Sequence, residues 1–265
     1  FKNYTAVDAL RMAAHLRGKT SLLGLVEVPF GESLSGGNLS ARKMRQEINQ
    51  IAIEYQFEGH HHVSVSHNRW KDLQVFVDEK KPDLLILDWP SFYETTEISY
   101  QDVLYGLNCT VAFVCGPWPE VVQNAFVPLR GGPHAQSALR VALALPRKHL
   151  SVLHLTGPDE RVPTNDPFRG LANILPSLPE VEYKMKYAQN PLEAIYTQVA
   201  QSDLLILGAT EQPIQHQGSL GEIADRIACD PDRAVVVVKA PIKSPSKFTG
   251  PEGERSGYQI GRAHV

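Results

Sequence analysis

Asp83-Leu-Leu-Ile-Leu87 and Asp203-Leu-Leu-Ile-Leu207 are the same five residues, 120 positions apart. The register continues without a gap: Ser99 falls on Ser219, Asp102 on Glu222, Val103 on Ile223, Leu107 on Ile227 and Cys109 on Cys229. A second block lies upstream. Ala6-Val-Asp-Ala9-Leu10-Arg11-Met-Ala13 returns as Ala135-Gln-Ser-Ala138-Leu139-Arg140-Val-Ala142, which carries Leu16 onto Leu145, Lys19 onto Lys148 and Pro29 onto Pro158. Two blocks repeated in the same order mean that one unit occurs twice.

The second unit alternates strand and helix patterns. Strands are expected at 125–129, 150–155, 181–187, 204–207 and 234–238, with helices at about 134–148, 167–175 and from Pro191 onward. Asn190 caps that last helix, Pro191 takes its first turn, and Leu192, Ile195 and Val199 line one face. The runs Leu204–Leu207 and Ala234–Val238 are apolar on both faces, as strands of a parallel sheet covered by helices must be. The first unit repeats the pattern, with Met44, Ile48, Ile51 and Tyr55 at helical spacing. It has no strand ahead of its first helix.

Repeated βα units predict a parallel, doubly wound α/β sheet, and right-handed crossovers favour the strand order 3-2-1-4-5. The strand missing from the first unit would be the central one, so the sequence reads as starting inside a unit of a longer polypeptide. The expected domains are 1–116, 117–242 and a Pro/Gly/Ser-rich tail over 243–265. The final Ile260-Gly-Arg-Ala-His-Val265 has the form of a translated sequencing adaptor and is set aside.

Composition narrows the function classes. The chain has 265 residues, 43% hydrophobic and 21% charged, enough to bury a core and too apolar for a disordered chain. No run reaches the roughly 18 apolar residues of a membrane span. A net charge of -3 with scattered Lys and Arg argues against nucleic acid as a partner. Cys109, Cys115 and Cys229, odd in number and far apart, suggest a reducing compartment rather than a disulfide framework.

In a sheet of this order, ligands sit at the carboxyl ends of strands 1 and 4. In the second unit the loops meeting there are Val127-Pro128-Leu129-Arg130-Gly131-Gly132-Pro133-His134 and Gly208-Ala-Thr210-Glu211, continuing to Gly218-Ser219-Leu-Gly221-Glu222. Here the chain resembles the universal stress protein family in its tandem form. That family closes a nucleotide loop with Gly, two residues, Gly, nine residues, then Gly-Ser/Thr. Gly208 and Gly221 stand at the outer glycine positions, Glu211 replaces the middle glycine and Glu222 the hydroxyl residue. Arg130 stands where the family carries an adenosine-binding Asp. In the first unit Asp88 and Gln101 replace the outer glycines.

Further details resemble the paired domains fused behind amino-acid permeases and cation/proton antiporters: Val65-Ser66-His67-Asn68, Leu87-Asp88-Trp89, Asn108-Cys109-Thr-Val111 and Arg130-Gly-Gly-Pro-His134. The resemblance implies a non-catalytic regulatory module at the inner face of the plasma membrane, behind an upstream transporter. The two units would pack face to face or dimerise, with strand 5 as the contact used in the wider family. ATP, AMP or another adenine nucleotide would bind weakly at a vestigial site made of Pro128, Arg130, Gly131, Gly208, Thr210, Glu211, Gly221 and Glu222. The alternative is a free-standing tandem stress protein that binds an adenine nucleotide.

Glu222 weighs most in this reading. Ser219-Leu-Gly-Glu222 has the form of a capping box, as does Ser99-Tyr-Gln-Asp102, and a capping carboxylate would take the amides that a phosphate needs. Arg130 is either an anion contact or a solvated loop residue, and Gly131-Gly132 either a turn or a phosphate loop. His60-His61-His62 alternates across a strand and reads as a strand start rather than a metal site. Cys109 and Cys229 read as packing residues, His154 as a satisfied core histidine, and Trp70, Trp89 and Trp118 as core or inter-unit contacts. No catalytic constellation is expected.

Overall fold

Strands that are apolar on both sides need cover on both sides, and the helices supply it. The computed structural model describes residues 6–129, 132–156, 175, 178, 180–187, 191–210, 219–228 and 233–241. The first half contains α1 (Val7–Leu16), β1 (Leu23–Glu27), a 3-10 turn (Leu34–Gly37), α2 (Asn38–Glu54), β2 (His62–Ser66) and α3 (Arg69–Lys80). It ends with β3 (Leu84–Asp88), α4 (Ser91–Thr96), α5 (Tyr100–Gly106) and β4 (Thr110–Cys115). The second half contains β5 (Asn124–Leu129), α6 (Gly132–Ala144), β6 (His149–Thr156), β7 (Val181–Tyr187) and α7 (Pro191–Val199). It closes with β8 (Leu204–Gly208), α8 (Glu222–Ala228) and β9 (Ala234–Lys239).

The second half follows the expected order: β7-β6-β5-β8-β9, all parallel. In the first half β3 pairs with β4, while β1 and β2 form a separate parallel pair. Helix α6 stops four residues short of the expected Lys148, because Pro146 has no amide to donate and restricts the residue before it. The helix expected over 167–175 lies outside the described residues except for Leu175, which is buried.

The two halves join edge to edge rather than face to face. β4 and β9 pair antiparallel, from Val111 opposite Lys239 to Cys115 opposite Val235. Phe113 faces Val237, each the fourth residue of its strand, so a local two-fold relates the halves at that pair. The joint makes one seven-stranded sheet, and side chains alternate between two cores as the strand period requires. Phe113, Leu205 and Val237 face α5, α7 and α8, whereas Ala112, Ile206 and Val236 face α1 and α6.

Two further contacts fix the arrangement. Lys239 is fully buried, and its Nζ donates to the Leu107 and Cys109 carbonyls across the joint, the latter at 3.2 Å. Trp118, in the connection between the halves, donates its amide to Asp8 at 2.8 Å and its indole N–H to His15 Nδ1 at 2.8 Å. His15 Nδ1 also lies 2.9 Å from the Arg11 carbonyl, and its Nε2 lies 3.0 Å from the Glu120 carbonyl. Helix α1 is thereby held against the sheet. No helix among the described residues is long and apolar enough to cross a membrane.

Candidate functional site

Pro128 is the fifth residue of β5, near the carboxyl end of the strand at the switch point. β5 pairs with β6 along its whole length, but with β8 only at Ala125 and Phe126. Proline cannot donate to a ladder, so pairing on the β8 side ends before Pro128 and the two strand ends diverge. The first turn of α6 closes in on the gap. A Cβ built on Gly208 would lie 2.8 Å from the Ala135 nitrogen and 3.0 Å from the His134 carbonyl carbon. Only glycine permits that approach. His134 Nδ1 accepts the Ala240 amide at 2.9 Å, tying the same turn to the end of β9.

The second wall is the head of α8. Gly221 has φ +106°, which a helix cannot contain, so α8 starts at Glu222 rather than near Leu220. Ser219 therefore lies outside the helix, and Glu222 is its first residue instead of its third. The Glu222 side chain points to solvent and pairs with Arg226 at 3.8 Å. The capping box expected between Ser219 and Glu222 does not form. Asp225 takes its place: its carboxylate accepts the Ser219 hydroxyl and, at 2.9 Å, the Leu220 amide. Ser219 Oγ in turn accepts the Gly221 amide at 3.1 Å. A carboxylate does accept one amide beside this helix head, that of Leu220, but it is contributed one turn later than the sequence pattern indicates.

In the first half the capping box forms as expected. Ser99 Oγ accepts the Asp102 amide at 3.1 Å, and Asp102 accepts the Ser99 amide at 2.9 Å. Gln101 replaces the glycine, so nothing delays the helix, and α5 begins at Tyr100. Asp88 occupies the position of Gly208, and its Oδ2 accepts the Asp8 amide at 3.3 Å.

Pro128 lies in β5, Gly208 ends β8, Thr210 follows two residues later and Gly221 immediately precedes α8. A Cβ on Gly221 would meet Thr210 Cγ2 at 2.7 Å, so those two residues are in contact. Glu222 is turned away from this group. Arg130, Gly131 and Glu211 lie outside the described residues. Sequence reasoning missed Asp225, because a Ser and an Asp six residues apart match no capping pattern. It also missed Tyr100, whose hydroxyl donates to the Thr210 carbonyl at 3.0 Å and connects the α5 head to the loop after β8.

The fold is shared with a universal stress protein. The protein from Archaeoglobus fulgidus DSM 4304 superposes with a TM-score of 0.58 at 12% identity, covering 90% of this chain and 95% of that one. The cytoplasmic domain of a prokaryotic cation chloride cotransporter superposes with a TM-score of 0.49 at 14% identity, covering 84% and 96%. No protein-family profile and no curated protein sequence matches the chain.

The other candidates have structural partners. His61 Nδ1 accepts the Leu22 amide at 3.2 Å, and His62 opens β2. His154 bonds the Tyr183 hydroxyl at 3.1 Å in the core. Cys109 and Cys115 are buried, and burial pushes their thiols up to about 11 and about 12. These are thiols, not thiolate nucleophiles. Cys229 lies outside the described residues. Trp89 is core, and Trp70 packs partly buried against the same cluster. A surface concavity of about 470 Å³ lies at the amino ends of β3 and β4, lined by Asp78, Lys81, Asp83 and Cys109. It is remote from the strand ends where this fold class places ligands.

Proposed function

We propose that this chain is a non-catalytic regulatory module of the tandem universal-stress-protein type, carried in the cytosol behind a secondary transporter of the amino-acid-permease class. One observation carries the non-catalytic part. Asp225 accepts from Ser219 and Leu220 at the head of α8, where a nucleotide-binding relative would present hydrogen-bond donors to phosphate. A fixed negative charge there repels a phosphate chain and removes donors it would need. The first half adds Asp88 at the other glycine position and a complete capping box at Ser99.

Ser219 and Asp225 form a hydroxyl–carboxylate pair, yet Ser219 is 1% exposed and its hydroxyl serves the loop. A nucleophile so placed has no route to substrate. The transporter setting rests on the sequence resemblance at Val65–Asn68 and Leu87–Trp89. A regulatory role suits the architecture: Tyr100 links the head of α5 to the loop after β8, so a ligand preferring one arrangement of the halves would shift the pair.

Two measurements test this reading. Incubation of the chain with ATP should release phosphate no faster than buffer alone, and turnover abolished by Gly208→Val would contradict it. In cells of origin, the native product should sediment with membranes. Recovery entirely in the soluble fraction would remove the transporter link.

A further inference from the structure

The connection from β1 to α2 leaves large apolar side chains in water. Phe30 is 96% exposed and Leu39 78%, and Leu34 between them is exposed as well. A single such residue is ordinary on a protein surface; three in one short connection form a patch.

The connection is pinned to the ends of two strands. The Val28 amide donates to the Ser66 carbonyl at 2.8 Å, which extends the β1–β2 ladder. The Glu32 amide then closes a turn on the Pro29 carbonyl at 3.1 Å, with Gly31 at φ +94°. The Phe30 ring meets His67, the residue after β2, edge-on with centroids 5.7 Å apart. A Cβ on Gly37 would lie 2.8 Å from Val28 Cγ2 and 2.6 Å from Val65 Cγ1, so the 3-10 turn rests on the same strand ends. Phe30 and the head of α2 are therefore anchored at one place.

Helix α2 divides its faces. Ala41, Ile48 and Ala52 are buried, whereas Leu39, Arg42, Lys43 and Gln46, spaced three and four apart, are exposed. Arg45 is exposed too. From Val28 to Gln46 the sole carboxylate is Glu32, against the three cations Arg42, Lys43 and Arg45, although the whole chain carries a net charge of -3. Lys43 also reaches Glu47 at 3.8 Å, in a pair open enough to water to exchange for another anion.

We propose that this end of the first half docks on an anionic lipid bilayer. Phe30, Leu34 and Leu39 enter the boundary between headgroups and acyl chains, and the three cations meet the headgroup charges. Two features favour a bilayer over a protein partner. Phe30 stands almost wholly clear of the surface, where a protein would need a matching pocket but lipid chains conform to it. The cations follow the apolar residues as a group, which suits a continuous field of negative charge. The contact needs no transporter, because it belongs to this chain's own surface.

Vesicle flotation with the 265-residue chain tests the contact. Vesicles of phosphatidylserine and phosphatidylcholine in equal parts should carry the chain upward, pure phosphatidylcholine should carry far less, and added salt should release it. Phe30→Ser and Leu39→Ser should each weaken binding by about fivefold, and Arg42→Gln combined with Lys43→Gln by about tenfold or more. Ile53, 79% exposed near the far end of α2, is the control, and Ile53→Ser should leave binding unchanged. In Phe30→Trp, brominated lipid should quench more of the fluorescence than in the parent chain. Absence of binding to the mixed vesicles would overturn the proposal, as would equal losses from Ile53→Ser and Phe30→Ser. Self-association that Phe30→Ser abolishes, without vesicle binding, would also overturn it and give the patch to a second copy of the chain.

Discussion

Asp225 accepts the Leu220 amide at 2.9 Å while the same carboxylate takes the Ser219 hydroxyl, and Glu222, three residues earlier, faces solvent. The two acids at one helix head therefore have different jobs. Asp225→Ala leaves a buried hydroxyl and an amide unsatisfied and should cost about 2 kcal/mol. Glu222→Ala removes only an exposed pair with Arg226 and should cost less than about 0.5 kcal/mol. Urea unfolding of both variants checks the contrast, and equal losses would count against the assignment.

Gly208 and Gly221 are constrained for different reasons. Gly208→Ala drives a Cβ into the backbone of Ala135 and should destabilise by about 2–3 kcal/mol. Gly221→Ala meets a flexible Thr210 methyl but must adopt φ +106°, at a cost of about 1–3 kcal/mol. Thr210→Ser should relieve the steric part of the second defect and none of the first. Chemical denaturation of the double variants separates the two cases.

Lys239 makes stability depend on pH. Burial lowers its amine from 10.5 to about 8. Between those values the unfolded chain holds a proton that the folded chain has released, so stability rises with pH from about 8. The buried thiols of Cys109 and Cys115 act in the opposite sense. Their folded values of about 11 and about 12 exceed the ordinary 9.0, so the folded chain keeps protons that the unfolded chain loses as pH climbs past 9. Unfolding free energy measured against pH should therefore peak near pH 9. Lys239→Met should abolish the rise and keep the fall.

Tyr100 joins the halves through one hydrogen bond to the Thr210 carbonyl, while its ring packs against Phe113 of its own half at 5.2 Å. Tyr100→Phe keeps the ring and removes the bond, so about 1 kcal/mol should be lost with the urea m-value unchanged. A reduced m-value would mean instead that the halves unfold separately.

The legible parts were those carried by periodicity and repetition. The valine and leucine runs declared buried parallel strands, and the repeated pentapeptide marked β3 and β8 as equivalents. The capping register at α8 was not legible. It turns on the backbone conformation of Gly221, which removes two residues from the helix and passes the capping role from Glu222 to Asp225. Ser99 and Asp102 read correctly because Gln101 imposes no such break. Lys239 did leave a signal: a lysine ending a run of four valines must find partners in a strand covered on both faces. Those partners, the Leu107 and Cys109 carbonyls, come from the other half of the chain, beyond the reach of local pattern.

Calorimetric titration of ATP into the 265-residue chain asks most directly whether the phosphate seat is already taken by the protein's own carboxylate. No saturable heat below about 1 mM ATP is the expected result. A one-to-one isotherm in the micromolar range, lost in Gly208→Val, would contradict it.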